Sequence, residues 1–517
     1  MSASIPPALA QQTEVIAGYA REEGLDFFET IFEMVDFDQM NQIAAYGGFP
    51  QRYPHWRFGM EYERLRKQQT YGLSRIYEMV INNDPCYAYL LRDNDFVDHK
   101  TVIAHVYAHC DFFKNNVWFQ HTNRKMMDQM ANHATRLRRY IDRHGFEEVE
   151  RFLDVCLSVE DLIDPYSVFI RRLPPPHDGP DAKRDIERDV VRYPSKPYMD
   201  RFINPPERIE AQRKRIRADR EKEKKAEPAE PVRDVVLYLL QHAPLEDWQA
   251  DVLAIAREEA YYYAPQAQTK IMNEGWATYW HSTMMTRYCL HDDELVTYCD
   301  HHAGTLATAP GRLNPYKLGV ELFRDIEERW DLGRYGKEYE ELEDIEARRN
   351  WGRDRKRPER VKGKDSPGRE RIFQVRRIYN DVTFLDEFLT PEFAEKQGLY
   401  QYRYDPNSGR ITTVDREFAK IKKRLLFSLT NLGRPYIYVV DGNYANRGEL
   451  YLAHKHTGMD LSVAYATETL KNVQRLWGRP VHLQARIDDD MVLFSHDGQQ
   501  GKQQTIGDSL PKPVHAV

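Results

Sequence analysis

The sequence predicts a mainly α N-terminal domain carrying a zincin-like metal site, followed by a smaller α+β C-terminal domain. Three observations carry that reading. Apolar residues recur at helical spacing through most of the first 330 positions. Beyond about residue 372 the pattern changes to short β-rich runs separated by turn residues. Between them lies a highly charged stretch with Gly and Pro, residues 331–371, which reads as a linker.

Taken in order, residues 11–46 read as helix, because Phe27, Phe28, Ile31, Phe32 and Val35 fall at helical spacing before Gly47-Gly48-Phe49-Pro50 ends the pattern. The aromatic loop YPHWRFGMEYERL follows, with His55, Trp56, Glu61 and Glu63. Such loops are more often packed corners than substrate contacts. A helical segment at about 60–80 leads to a turn at Asn82-Asn83-Asp84-Pro85, and residues 95–142 read as one or two deep helices, with more helix to about 163. Residues 173–231 are rich in proline and charge and read as an insertion in the helical domain of 1–330. The run RKRIRADREKEKK interleaves acids with bases, so it predicts a solvated helix or mobile insertion rather than a nucleic-acid surface. Helix returns at Val232 and is broken or kinked by Pro265.

In the C-terminal domain, 372–517, a helix at 415–432 precedes the strands PYIYVVD and LYLAHKH, joined by the turn DGNYANRGE. A helix from Leu461 to Trp477 and the strands RPVHLQARI and MVLFSHD complete a small sheet with helices on one face. His454 and His456 alternate with Lys455, so both point to one sheet face.

The composition excludes several classes. A chain of 517 residues supports two or three domains and a large core. A net charge of -7 and a pI of about 6.3 give no basic signature for nucleic acid. Cys86, Cys110, Cys156, Cys289 and Cys299 are scattered, odd in number and never in a C-x-x-C pair, which argues against a disulfide scaffold or a cysteine zinc knuckle. The first 20 residues lack a basic n-region and an apolar h-region. Nothing approaches the ~18–20 apolar residues that cross a bilayer. A cytoplasmic protein without membrane insertion is the expectation.

The chemistry centres on TVIAHVYAHCDFFKNN, residues 101–116, where His105 and His109 stand four apart on a helix. Cβ atoms at that spacing are about 5–6 Å apart on one face. Two imidazoles so placed reach one metal ion, as on the H-E-x-x-H helix of zinc peptidases. The position that holds the general-base glutamate of those enzymes is Val106 here. Glu274, in MNEGWATYWH, is the candidate third ligand, and His281 shares a helix face with Glu274 and Thr278 as a possible fourth ligand or proton donor. Asp111, Asn115 and Asn116 are polar groups on an apolar helix, which burial disfavours unless they serve a polar cluster. The competing reading makes His105 and His109 core histidines bonded to carbonyls or tyrosines, and Glu274 a salt-bridge partner of nearby arginines. Asp300-His301-His302 is a further cluster with ligand chemistry.

Six separated blocks, YPHWRFGMEYERL, HVYAHCDFFKNN, KIMNEGWATYWH, DHHAGTLAT, LNPYKLGVELFRDIEERW and VDGNYANRGELYLAHKHTGMDLSVAYATETL, together resemble the SpoVR family, the stage V sporulation protein R-like proteins of bacteria. The resemblance spans nearly the whole chain, apart from the charged segments at 173–231 and 340–370. It implies a cytoplasmic protein tied, in spore formers, to assembly of the cortex peptidoglycan. It also implies a stress-linked pathway shared with a PrkA-type serine kinase and a von Willebrand-A-like protein. It supplies no reaction.

Two functions are therefore expected. One is a metal-dependent amide hydrolase related to the gluzincins, with a divalent metal (zinc first) on His105, His109 and Glu274, His281 as fourth ligand or donor, and Glu258 or Glu259 as proton shuttle in place of the missing base. The other is a non-catalytic regulator that keeps a structural metal site and signals through its C-terminal domain.

Overall fold

The computed structural model describes residues 3–70, 78–170, 190–223, 227–309, 311–335, 339, 342, 344–351, 366–405 and 410–506. Parts of the expected insertion and linker lie outside these. The described chain is helical over most of its N-terminal part and carries a five-stranded sheet near its C-terminus, as the sequence predicts. None of its helices is long and apolar enough to cross a membrane. The chain divides into two compact units, each discontinuous in sequence: residues 1–146 with 261–433, and residues 147–260 with 434–517.

The first unit is built on a helix we call the histidine helix, Phe96–Asn115, whose residues from Val97 to Phe113 are nearly all buried. Lys100 is 1% exposed there and is neutralised by Glu294 at 2.7 Å and the Cys289 carbonyl at 2.8 Å. The glutamate helix, Lys270–Met284, packs on it, and the helices Pro315–Asp331, Pro367–Ile378 and Asp381–Phe388 continue the same core. A four-stranded sheet in the order β1 (Ala3–Ser4), β2 (Thr30–Val35), β4 (Cys86–Leu91), β3 (Glu78–Ile81) lies in this unit. The expected helix over 11–46 is thus two helices, Pro7–Glu22 and Phe37–Ala45, with β2 between them. Ile31, Phe32, Met34 and Val35 are β-branched or bulky residues that pair in parallel with CYAYLL of β4, and that pairing overrides their helical spacing. Likewise the expected helix at 60–80 ends as Trp56–Thr70, and β3 starts at Glu78. The loop before it is a packed corner in which Arg52 stacks over Tyr53 and Phe58.

Residues 372–433, expected in the C-terminal domain, fold into this first unit. Ile372 and Val375 are buried in its core, and Asn116 donates to the carbonyls of Arg376 and Tyr379 at 2.7 and 2.9 Å.

The second unit carries the sheet β9-β8-β7-β6-β5, formed by Gly501–Thr505, Asp490–His496, Val481–Ile487, Glu449–Lys455 and Tyr436–Tyr444. β6 and β7 are parallel, which needs a crossover, and the helix Val463–Trp477 supplies it while burying Leu470, Val473 and Trp477. Residues 147–260, expected in the N-terminal domain, belong here. Val232 exchanges main-chain hydrogen bonds with Val439 at 2.9 and 2.7 Å, and Tyr238 stacks on Trp477. The charged run, as far as Glu223, lies in the helix Pro206–Glu223.

Candidate metal centre

The site depends on how the histidine and glutamate helices are held. Their crossing is fixed by Asp111, fully buried, which accepts the Trp276 indole N–H at 2.8 Å and the Asp26 amide at 2.8 Å and pairs with Arg376 at 3.5 Å. Burial pushes the Asp111 carboxyl up to about 6, against the charge of Arg376 and those hydrogen bonds. The polar residue that stands out in the sequence on an apolar helix is therefore the clamp between the two site helices.

Two further devices set the glutamate helix. Pro265 does not break the preceding helix, Asp247–Gln268, which runs through it. The break comes at Thr269, whose hydroxyl donates to the Pro265 carbonyl at 2.7 Å. The amides of Ile271 and Met272, in the first turn of the new helix, donate to the Asp381 carboxylate at 2.8 and 2.9 Å. One turn on, Gly275 meets Gly319 of Pro315–Asp331 backbone to backbone, and a Cβ on Gly275 would lie 2.4 Å from the Gly319 Cα. Tyr279 adds a hydrogen bond to Glu327 at 2.8 Å. Glu274 is thus delivered at a fixed height.

These constraints bring His105, His109 and Glu274 together. One ligand atom from each lies within 4.8 Å of the others. The Nε2 atoms of His105 and His109 are 3.6 and 3.5 Å from Glu274 Oε2. Those separations are at or beyond the limit of a useful hydrogen bond. They match a shared ion: four-coordinate bonds of about 2.0–2.2 Å place ligand atoms roughly 3.4 Å apart. Glu274 Oε2 is buried and has no hydrogen-bond partner, a costly state for a carboxylate oxygen that a cation would relieve. The donor set fits a divalent cation.

The outer edges of both rings are also engaged. His109 Nδ1 lies 2.9 Å from Asn273 Oδ1, and with Nδ1 donating there the Nε2 lone pair faces Glu274. His105 Nδ1 lies 2.9 Å from His281 Nδ1, and His281 Nε2 lies 3.2 Å from His302 Nδ1. Burial first, then the neighbouring charges of His105, His302 and Arg324, drive the His281 pKa far down, and burial lowers that of His302 as well. Tyr316 is half-buried with its ring 6.3 Å from that of His105.

Of the residues expected at the site, His105, His109 and Glu274 converge. His281 lies outside that cluster. Both its nitrogens are directed to other imidazoles, because position 281 is two turns past Glu274 and lies behind His105. Glu258 is half-buried and Glu259 buried on Asp247–Gln268; both fall in the second unit and neither is in the cluster of the first. His301, beside His302, pairs with Asp98 at 2.5 Å. His454 and His456 stand apart from any cluster among the described residues, His456 pairing with Asp460 at 2.8 Å. Asn273 is the site residue that sequence reasoning misses; its one signal is its place directly before Glu274.

Comparison with known proteins gives a consistent picture. A family model described as "SpoVR like protein" matches residues 5–434, and one described as "SpoVR-like C-terminal domain" matches residues 435–488. The chain is 29% identical over 501 residues, 90% of each chain, to the "Uncharacterized protein YcgB" of Escherichia coli (strain K12). No solved structure matches.

Proposed function

This chain belongs to the SpoVR family, and from that premise we propose that it is a metal-dependent amide hydrolase whose His105, His109 and Glu274 hold one divalent cation, zinc first. The observation that supports this is the buried Glu274 Oε2, without a hydrogen-bond partner and 3.5–3.6 Å from two imidazole nitrogens. When bound, such an ion supplies a Lewis acid and a water with a pKa near 7.

The residues divide the remaining work. Three protein ligands leave a position open, as in catalytic rather than closed structural zinc sites. Asn273 and His281 orient the two imidazoles from behind. Tyr316, whose ring lies 6.3 Å from that of His105, is the nearby tyrosine that would polarise a substrate carbonyl. The family resemblance directs the substrate search to amides of peptides and wall precursors, and the partner search to a PrkA-type kinase and a von Willebrand-A-like protein.

A second reading, a non-catalytic regulator with the same cation, is favoured by Val106. It is wholly buried and apolar where a zinc peptidase carries its base.

The test is hydrolysis of peptide and muropeptide amides by the zinc-loaded protein beside Glu274→Gln. Turnover lost by more than about 100-fold in the variant supports the hydrolase. Zinc binding without turnover of any amide leaves the regulator.

A further inference from the structure

We propose that His281 and His302 are positioning residues: a one-way chain of imidazole hydrogen bonds that fixes the tautomer of His105 and so sets the cation affinity of the centre. This rests on the metal-centre reading above.

The argument is one of proton counting. A neutral imidazole has one N–H and one lone pair. Between the Nδ1 atoms of His105 and His281, 2.9 Å apart and buried, there is room for one proton. For His105 Nε2 to offer its lone pair toward Glu274, the His105 proton must sit on Nδ1. His281 Nδ1 is then the acceptor, so the His281 proton must sit on Nε2. That N–H faces His302 Nδ1 at 3.2 Å, which must accept, leaving the His302 proton on Nε2. Each ring dictates the next, and only one direction leaves a lone pair facing Glu274.

The reverse direction disables the centre. Without an acceptor at position 302, His281 is free to carry its proton on Nδ1 and donate to His105 Nδ1. His105 would then hold its own proton on Nε2, in the place of the ion. A residue that never touches the cation thus controls its binding. The elements are arranged for this. His281 is on the glutamate helix, and His302, on the helix Leu295–Thr305, is stacked on Tyr298 with rings 13° from parallel.

The test uses full-length protein and zinc alone, with affinity read by competition against a chromophoric chelator. His302→Phe keeps the stack on Tyr298 and removes the acceptor. His302→Asn places an amide oxygen near the Nδ1 position. We expect zinc affinity to fall about 10–100-fold in His302→Phe and to return to within a few-fold of the parent in His302→Asn. Equal affinity in parent and His302→Phe overturns the positioning role, as does an equal loss in both variants, which marks a packing role. No zinc binding by the parent instead overturns the metal-centre reading itself. A readout without substitution is the imidazole ¹⁵N spectrum of the parent: His281 protonated on Nε2 is expected, and His281 protonated on Nδ1 contradicts the proposal.

Discussion

At the scale of single residues, two buried aspartates show how the site is held and at what cost. Asp111 leaves the Arg376 guanidinium as its buried partner. Asp111→Asn keeps the shape but strands that cation, and removing one partner of a buried pair typically costs about 3–5 kcal/mol. Chemical denaturation of the variant is expected to show that loss; a change below about 1 kcal/mol would mean that Arg376 finds another partner. Asp381 gives a pH signature. Burial pushes its carboxyl to about 7, against the two amides it accepts from Ile271 and Met272. A carboxyl raised in the folded state adds stability that is complete below its unfolded pKa near 4 and is lost as pH rises through 7. Relative to Asp381→Asn, the parent should therefore lose roughly 2–4 kcal/mol of unfolding free energy between pH 4 and pH 7, since a tenfold change in proton affinity is worth about 1.4 kcal/mol. A pH-independent difference between the two proteins would contradict this.

Residues also show what is legible in advance. The pairing of His105 and His109 is readable because helical geometry alone places side chains four apart on one face, whereas the approach of Glu274 to them depends on a second helix. The role of His281 is not readable. Its helix face follows from the sequence, but which edge of His105 it meets depends on how two helices cross, and no local pattern encodes that.

At the scale of elements, the crossing of the glutamate helix with Pro315–Asp331 is the feature most sensitive to one atom. A Cβ on Gly319 would lie 2.2 Å from the Ile271 carbonyl oxygen, a backbone atom that cannot rotate away. Gly319→Ala should cost about 1–3 kcal/mol and weaken cation binding, because Glu274 rides on the displaced helix. Gly18→Ala, in the helix Pro7–Glu22 with nothing within 4 Å of the added carbon, is the control. It should be neutral or stabilising by about 0.5–1 kcal/mol. Equal melting temperatures for Gly319→Ala and the parent would remove the backbone contact from the account.

The elements that the sequence reads well are those with one dominant period and clear turn residues, such as the strands around His482 and the helix Val463–Trp477. β2 reads wrongly as helix because four bulky residues in six satisfy either period, and only the parallel partner β4, some 55 positions on, decides between them.

At the scale of the whole molecule, the family boundary near residue 434 coincides with one physical boundary, but the unit beyond it also takes in an earlier stretch of the chain. Residues 434–517 form one unit with 147–260. A chain ending at Gly433 keeps His105, His109 and Glu274 but leaves Val232 without Val439 and Tyr238 without Trp477. Limited proteolysis should cut such a chain within 147–260 far faster than the full-length protein, and unchanged resistance there would argue against the interleaved unit. The change along the sequence from helical to strand-rich patterns is legible. The interleaving is not, because it rests on pairings between segments some 200 residues apart.

The most direct measurement is the metal content of full-length protein purified without a histidine tag, by plasma mass spectrometry, beside His105→Ala and Glu274→Ala. The account predicts about one divalent ion per chain in the parent, lost in both variants while their circular dichroism stays that of the folded protein. A parent free of metal even after incubation with zinc, iron and manganese would contradict it, and His105 and His109 would then be core histidines.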